Sequence, residues 1–151
     1  MRILAVDPGE KRLGLAISDP GGLIANPLKA LVHIARTIDA AQIAQIAQEQ
    51  EAGLIVVGQA LDSDGQPTPA SRRSARLAAA IRAQTDIPVV LWDESHSTQA
   101  AQQARRAMGV KHSRRTGHLD ELAATVILQT YLDWQAEQSS SSHPMPGPEI
   151  P

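Results

Sequence analysis

Cysteine and phenylalanine are absent from this sequence of 151 residues, and the other aromatic side chains are limited to two Trp and one Tyr. Without cysteine the chain forms neither disulfide bonds nor thiolate metal sites, so any metal must be held by oxygen or imidazole ligands. No segment approaches the roughly 18 apolar residues of a membrane span, and no charged-then-apolar signal peptide opens the sequence. We therefore expect a cytoplasmic protein that does not interact with membranes.

The length fits one domain, which at this size buries about 68–70% of the surface of its unfolded chain. Because large aromatic residues are scarce, the core must be built from Ala, Leu, Ile and Val. From about residue 137 the sequence is rich in Ser and Pro and lacks the apolar residues needed for a core. We therefore predict a folded domain over residues 1–136 and a disordered tail over residues 137–151.

The net charge of −2 hides an uneven distribution. Nine basic and three acidic residues lie between Arg72 and Arg115, a net charge of +6, so the rest of the chain carries −8. Arg outnumbers Lys by 11 to 3, and the guanidinium group suits bidentate contacts with phosphate. A solvated surface explains many such charge runs, but the asymmetry favours a polyanionic substrate.

Strand and helix patterns alternate along the chain. The predicted strands cover residues 3–6, 14–17, 23–32, 54–57 and 87–92. The first predicted helix is capped by Thr37 and runs to about Gln50, with Ala40, Ile43 and Ala47 on one face and Gly53 ending it. A second starts near Pro69, and a third covers residues 97–109. The last, over residues 119–134, is amphipathic, and its apolar stripe consists of Leu119, Leu122, Ala123, Val126, Ile127, Thr130 and Trp134. Residues 60–68 are rich in turn residues, residues 109–117 are rich in Gly and basic residues, and both segments are predicted to be flexible loops. This order predicts an α/β fold with a mixed sheet and helices on both faces.

The most specific segment of the chain is residues 7–19, Asp-Pro-Gly-Glu-Lys-Arg-Leu-Gly-Leu-Ala-Ile-Ser-Asp. An apolar run precedes Asp7, Gly9 permits a tight turn, and a second run of small and apolar residues follows. The pattern predicts a β-hairpin with an acidic residue at the end of its first strand. A carboxylate in that position is costly unless it is compensated, and a bound cation is a common form of compensation.

This segment resembles the opening of the YqgF/RuvX family, relatives of the RuvC Holliday-junction resolvases in the RNase H-like superfamily. The shared features are a strand followed by Asp-x-Gly, a basic pair, Gly-x-Ala and Ser-Asp. Later landmarks also match in order, and they are Val56-Val57-Gly58, Asp64-Gly65, Asp93-Glu94, Ser97-Thr98, Asp120 and Ala123-Ala124. The resemblance spans residues 1 to about 136 and departs at Gln59-Ala60, where the family has Leu-Pro. It implies an RNase H-like fold with a five-stranded mixed sheet.

Three acidic positions can converge in such a fold. Asp7 and the pair Asp93-Glu94 follow predicted parallel strands, whose carboxyl ends meet at one edge of a sheet, and Asp120 opens the last helix. Carboxylate oxygens select Mg²⁺ or Mn²⁺, and two such ions can activate a water and stabilise a phosphodiester leaving group. The resemblance implies Asp7, Glu94 and Asp120 as the catalytic metal ligands. Asp93 stays open as a ligand, because adjacent strand residues face opposite sides unless a bulge intervenes.

The implied activity is that of a metal-dependent nuclease that matures the 5′ end of pre-16S ribosomal RNA. The alternatives are a nuclease for Holliday junctions or other branched DNA, and a non-catalytic RNA- or ribosome-binding module. The sequence leaves open whether the protein is a monomer or a dimer. The residues expected to bind nucleic acid are Lys11, Arg12, Arg72, Arg73, Arg76, Arg105, Arg106, Lys111, Arg114 and Arg115.

Other polar and aromatic residues have simpler explanations. The three histidines His96, His112 and His118 lack the close helical spacing of a zinc site. Turn roles explain Asp19 and Asp64, and Trp92 and Trp134 are expected in the core. Asp7-x-Gly9 also resembles the phosphate loop of actin-like ATPases, but those enzymes enclose the nucleotide between two such domains, and no Walker motif is present.

Overall fold

A computed structural model of the protein describes residues 1–93 and 119–141, with the side chains of residues 119 and 141 left aside. The strands are β1 (Arg2–Pro8), β2 (Arg12–Ser18), β3 (Ala25–Val32), β4 (Ala52–Gln59) and β5 (Val89–Asp93). The helices in these residues are α1 (Arg36–Glu49), α2 (Pro69–Arg82) and α3 (Leu119–Ser141).

The five strands form one mixed sheet in the order β3-β2-β1-β4-β5. β1, β2 and β3 run antiparallel in a meander, and β4 and β5 each run parallel to β1. The predicted hairpin and the predicted five-stranded mixed sheet are confirmed. Because β1, β4 and β5 are parallel, their carboxyl ends meet at one edge of the sheet, which is where ligands bind in such folds.

Each face of the sheet has its own apolar core because side chains alternate along the strands. On β1, Leu4 and Val6 pack in the cluster that also contains the buried residues of α1 and α2. Ile3 and Ala5 point the other way and pack in the cluster that contains the buried residues of α3. Helices therefore cover both faces, as the sequence predicts.

Helix α1 differs from its prediction at its start. It begins at Arg36 after Ala35, which provides no side-chain cap, so the predicted cap at Thr37 is wrong. The carboxylate of Asp39 instead reaches back to the amide of Ile34, with a hydrogen bond of 3.1 Å, and to Nδ1 of His33. The helix ends at Glu49, in agreement with the predicted end near Gln50, and the chain reverses through Glu51 at φ 57°. The predicted stop signal at Gly53 is wrong, because Gly53 already lies within β4.

Helix α2 begins at Pro69, as predicted, and Thr68 caps it. The Thr68 hydroxyl accepts from the amide of Ser71 at 3.0 Å, and the Ser71 hydroxyl accepts from the amide of Thr68 at 2.8 Å. In the loop before it, Asp62 rather than Asp64 supplies the side-chain acceptor, because its Oδ1 binds the amides of residues 64 and 66.

Helix α3 packs on the sheet through a face that is rotated from the predicted one. Its buried apolar residues are Ala124, Ile127, Leu128, Tyr131 and Leu132. Ile127 and Thr130 of the predicted stripe are buried, but Trp134 at its end is 37% exposed rather than in the core. Trp92 of β5 is buried, as predicted, and its indole donates to the hydroxyl of Thr130 at 2.9 Å.

The helix continues through Ser141, so the boundary predicted after residue 136 falls inside a helix. Residues 142–151 lie outside the described residues, and the disordered tail stays a prediction there. The predicted helix 97–109 and loop 109–117 also lie outside them. None of the helices in the described ranges is long and apolar enough to cross a membrane.

Candidate active site

Asp7 lies at the carboxyl end of β1, on the face covered by α3. Its direction follows from alternation, because Ala5 and Ile3, which lie two and four residues before it, pack in the α3 core. Its cross-strand partner on β2 is Gly14. The half-buried carboxylate therefore stands where three parallel strands end.

Gly14 is the point at which α3 reaches the sheet. A Cβ atom at this position would lie 1.9 Å from the carbonyl oxygen of Asp120 and 3.1 Å from the amide nitrogen of Glu121. The absence of a side chain thus lets the first turn of α3 rest directly on the β2 backbone. Because directly paired strand residues project to the same face, this contact brings Asp120 to the same end of the same face as Asp7.

Arg12, at the start of β2, faces Asp120 across this edge. Its Nη1 lies 3.8 Å from Oδ2 of Asp120, with the two side chains 46% and 28% exposed. An ion pair this long and this exposed contributes little to stability. It does place a predicted nucleic-acid contact beside a predicted catalytic carboxylate, so a phosphate approaching Asp120 also meets a cation.

At the end of β5 the strand pleat decides the face on which Asp93 lies. Val89 and Leu91 belong to the core beneath α1 and α2, whereas Val90 and Trp92 pack on the α3 side. Alternation therefore puts Asp93 on the face opposite to Asp7, which argues against Asp93 as a ligand of the same ion. Glu94 lies outside the described residues, and its role stays a prediction.

The carboxylates near Gly14 fit a hard cation in one further respect. Glu121, next to Asp120, has a buried Oε1 that accepts no hydrogen bond from the described residues. A buried carboxylate oxygen without a donor is costly, and a nearby cation would offset that cost. Within residues 1–93 and 119–141 no group of three metal-ligating side chains is complete, so a third ligand would have to come from elsewhere in the chain.

The predicted nucleic-acid contacts fall into three groups. Lys11 and Arg12 are exposed at the β1–β2 turn, beside the carboxylates. Arg72, Arg73 and Arg76 lie on α2, which covers the opposite face of the sheet. The remaining residues lie outside the described ones, namely Arg105, Arg106, Lys111, Arg114 and Arg115. Only the first group is therefore seen next to Asp120.

Sequence reasoning missed two features of this site, the contact of Gly14 with the first turn of α3 and the buried Oε1 of the half-buried Glu121. A glycine inside a strand, flanked by Leu13 and Leu15, signals a close approach by another backbone, so Gly14 could have been found. Glu121 gives no such signal, because a helix residue beside a candidate ligand is usually exposed.

Asp19 closes the second strand and has a structural role, as predicted. Its Oδ1 accepts from the amides of Leu23 at 2.7 Å and Ile24 at 2.8 Å, and its Oδ2 accepts from the amide of Gly21 at 3.2 Å. The hydrogen bonds from Ile24 and then Leu23 hold the pKa of Asp19 below its usual value. Asp19 thus orders the turn into β3 and is not part of the carboxylate cluster.

Comparison with known proteins identifies this arrangement. A family model described as RuvX, Holliday junction resolvase, matches residues 1–134. The chain belongs to the RuvX family. The resemblance predicted from residues 7–19 and the later landmarks is confirmed.

Bacterial relatives match this RuvX chain over most of its length. A protein of Maridesulfovibrio salexigens, named as a candidate pre-16S rRNA nuclease, is 36% identical over 132 residues that cover 87% of this chain and 98% of the relative. A protein of Syntrophus aciditrophicus with the same name is 38% identical over 133 residues, 88% of this chain and 89% of the relative.

Among solved structures, RuvC of Thermus thermophilus in complex with a Holliday junction substrate superimposes with a TM-score of 0.59. The match covers 89% of the RuvX chain and 96% of RuvC at 14% sequence identity. At that identity the likeness shows the fold alone, and it confirms the predicted RNase H-like architecture.

Proposed function

We propose that this protein is a metal-dependent nuclease that hydrolyses phosphodiester bonds in the 5′ leader of pre-16S ribosomal RNA, in the cytoplasm. The observation that carries the proposal is the contact of Gly14 with the backbone of Asp120, which brings two carboxylates to the carboxyl edge of the sheet. The names of the relatives from Maridesulfovibrio and Syntrophus supply the substrate.

In this proposal Asp7, Glu94 and Asp120 hold Mg²⁺ or Mn²⁺, and two bound ions would activate a water and stabilise the leaving oxygen. The pleat of β5 supports Glu94 over Asp93, because Asp93 lies on the opposite face and alternation would return the next residue to the face of Asp7. The buried Oε1 of Glu121, which has no hydrogen-bond partner among the described residues, supports the proposal that a cation binds near Asp120.

The other residues of this edge bind and orient the substrate. Arg12 lies 3.8 Å from Asp120 and can bind a phosphate oxygen of the strand whose neighbouring bond is cut. Lys11 is exposed in the same turn and adds positive charge where the polyanion arrives. These contacts hold the strand against the carboxylates through its backbone rather than its bases.

The test is cleavage of a radiolabelled pre-16S RNA fragment by the full chain with Mg²⁺ or Mn²⁺. We expect cut products at the 5′ leader for the wild type, and a loss of about 100-fold or more in rate for Asp7→Asn and for Asp120→Asn, which keep the side-chain shape but remove the charge. Asp133→Asn is the matched control, since Asp133 is exposed on the same helix as Asp120 and accepts a hydrogen bond from Gln129.

A four-way DNA junction serves as the second substrate, because the family description and the RuvC complex favour branched DNA. Preferential cutting of the junction would replace the RNA assignment. Tight RNA binding without cleavage by the wild type would replace nuclease function with a binding module. Full activity of Asp7→Asn would refute the catalytic site itself.

A further inference from the structure

A cavity of about 200 Å³ lies behind the β1–β2 turn, on the face of the sheet opposite to Asp120. Its floor is formed by the buried side chains of Leu13 and Leu77. Pro8 and Gly9, the two residues after Asp7, form one wall. The cavity is below the roughly 300–1,000 Å³ of sites for drug-sized ligands, so it suits a small group such as a phosphate.

Two arginines from different helices line this cavity, and each has N–H donors that are available to a ligand. Arg36 opens α1 and forms no hydrogen bond or ion pair in the described parts of the chain. Arg73 of α2 has a buried Nε that donates to no acceptor among residues 1–93 and 119–141. Its Nη1 lies 3.9 Å from the Glu10 carboxylate, which is 78% exposed, so this pair is weak. A buried donor without an acceptor is costly, and an anion in the cavity would satisfy it.

Among the described residues that line the cavity, Asp39 is the one acid, and it forms an ion pair with neither arginine. Both of its oxygens are engaged elsewhere, one with the amide of Ile34 and the other with Nδ1 of His33. The imidazole of His33 also lines the cavity. The guanidinium groups of Arg36 and Arg73 therefore line the same space, and the carboxylate there does not occupy their donors.

We propose that this cavity binds a terminal phosphate of a nucleic-acid strand whose chain passes over the β1–β2 turn; the inference rests on the proposed nuclease function for the identity of the strand. A terminal phosphomonoester carries up to two negative charges, which match two arginines, whereas an internal phosphodiester carries one. The closed apolar floor also admits a chain end more readily than a continuous backbone. The cavity would bind the end of the strand next to the β1–β2 turn, whose residues Pro8 and Gly9 directly follow Asp7.

The experiment measures binding of short fluorescent RNA strands to the full chain in EDTA, where metal-dependent cleavage does not occur. The strands carry a 5′-phosphate, a 3′-phosphate or hydroxyls at both ends. We expect one phosphorylated end to bind at least about tenfold tighter than the hydroxyl form, because charge-assisted hydrogen bonds to two arginines are gained. The preference should fall to below about threefold in Arg36→Gln and in Arg73→Gln.

Lys29→Gln is the matched control, since Lys29 is an exposed cation of β3 outside the cavity lining. Lys29→Gln should keep the full preference for the phosphorylated strand, and so should Asp7→Asn. The two hypotheses can therefore fail separately. If the proposed nuclease function is wrong, the wild type does not cleave RNA; if the cavity does not bind a terminal phosphate, the wild type binds phosphorylated and hydroxyl strands equally. Equal affinity of all three strands for the wild type would overturn the inference whatever the variants do. An equal loss of affinity for all three strands in both arginine variants would also overturn it, in favour of an internal phosphate.

Discussion

At the scale of single residues, the contact between Gly14 and Asp120 decides the geometry of the candidate site. A side chain at residue 14 would occupy the space of the Asp120 carbonyl oxygen, so the glycine sets how closely α3 approaches β2. The glycine therefore has a steric function in the middle of a strand, where glycine otherwise weakens the structure.

Gly14→Ala should displace α3 and lower both stability and activity. The new Cβ would lie 1.9 Å from the Asp120 carbonyl oxygen, and backbone cannot rotate away as a side chain can. We expect a loss of about 1–3 kcal/mol or more in the free energy of unfolding, measured with urea, together with loss of cleavage.

Gly53→Ala in β4 is the matched control, because the atoms met there belong to the flexible side chain of Met1, 2.5 Å away at its Cγ. It should cost much less stability and leave cleavage intact. Equal losses for the two substitutions would contradict the steric role assigned to Gly14.

Asp19 should make the stability of the folded protein depend on pH in a definite direction. Its pKa is lowered in the folded protein by the amides of Ile24 and Leu23, so the charged form is favoured by folding. The stabilisation is complete above the unfolded pKa, near 3.8, and is lost as the pH falls through the lower folded value. We expect the difference in melting temperature between wild type and Asp19→Ala to be constant from pH 7 to 5 and to shrink below about pH 4. A difference that grew on acidification would contradict this assignment.

At the scale of elements, the two helices on one face of the sheet begin in different ways. Helix α2 has a local signal, Thr68-Pro69, which the structure uses as a cap and first residue. Helix α1 has none at Ala35, and Asp39 from within the helix satisfies the amide of Ile34 instead. The first start is therefore visible in the sequence, and the second depends on a side chain that is buried only after folding.

Thr68→Ala should destabilise the protein by about 1 kcal/mol, because the amide of Ser71 loses its acceptor. The Thr68 hydroxyl also donates to the carbonyl of Ala60 at 2.8 Å, so the loop before α2 loosens as well. Thr68→Ser keeps the hydroxyl and should restore most of the stability in thermal unfolding. If Ser were no better than Ala, the methyl group rather than the cap would be the important contact.

At the scale of the whole molecule, the basic residues of α2 and the carboxylates lie on opposite faces of one sheet. The contact of Arg73 with Glu10 nevertheless brings the first turns of α2 beside the β1–β2 turn. A nucleic acid that touched both α2 and Asp120 would have to pass around the carboxyl edge of the sheet.

Arg72→Gln and Arg76→Gln test this path, since both residues are exposed on α2. If each binds a phosphate, each substitution should flatten the slope of log affinity against log salt by about 0.7–0.9, equally for all RNA sequences. Lys29→Gln on the edge strand should leave the slope unchanged. An unchanged slope in both arginine variants would show that the α2 surface is only solvated.

The sequence by itself determined the order of the elements, the hairpin at residues 7–19 and the family. Alternation in strands and helical periodicity are local properties, so the strands, the start of α2 and the position of Asp7 at a strand end could all be predicted. The residues of α1 that were predicted to be buried, Ala40, Ile43 and Ala47, are all buried.

Only the tertiary structure decided which residues meet. The rotation of α3 depends on packing of Ala124 and Leu128 against the sheet, and periodicity alone cannot choose between neighbouring apolar stripes of the same helix. Three features depend on residues that are far apart in the chain. They are the contact of Asp120 with Gly14, the side of the sheet on which Asp93 lies, and the cavity lined by Arg36 and Arg73. Such contacts depend on sheet order and strand register, which no local pattern specifies, because they are set by the burial of the whole core.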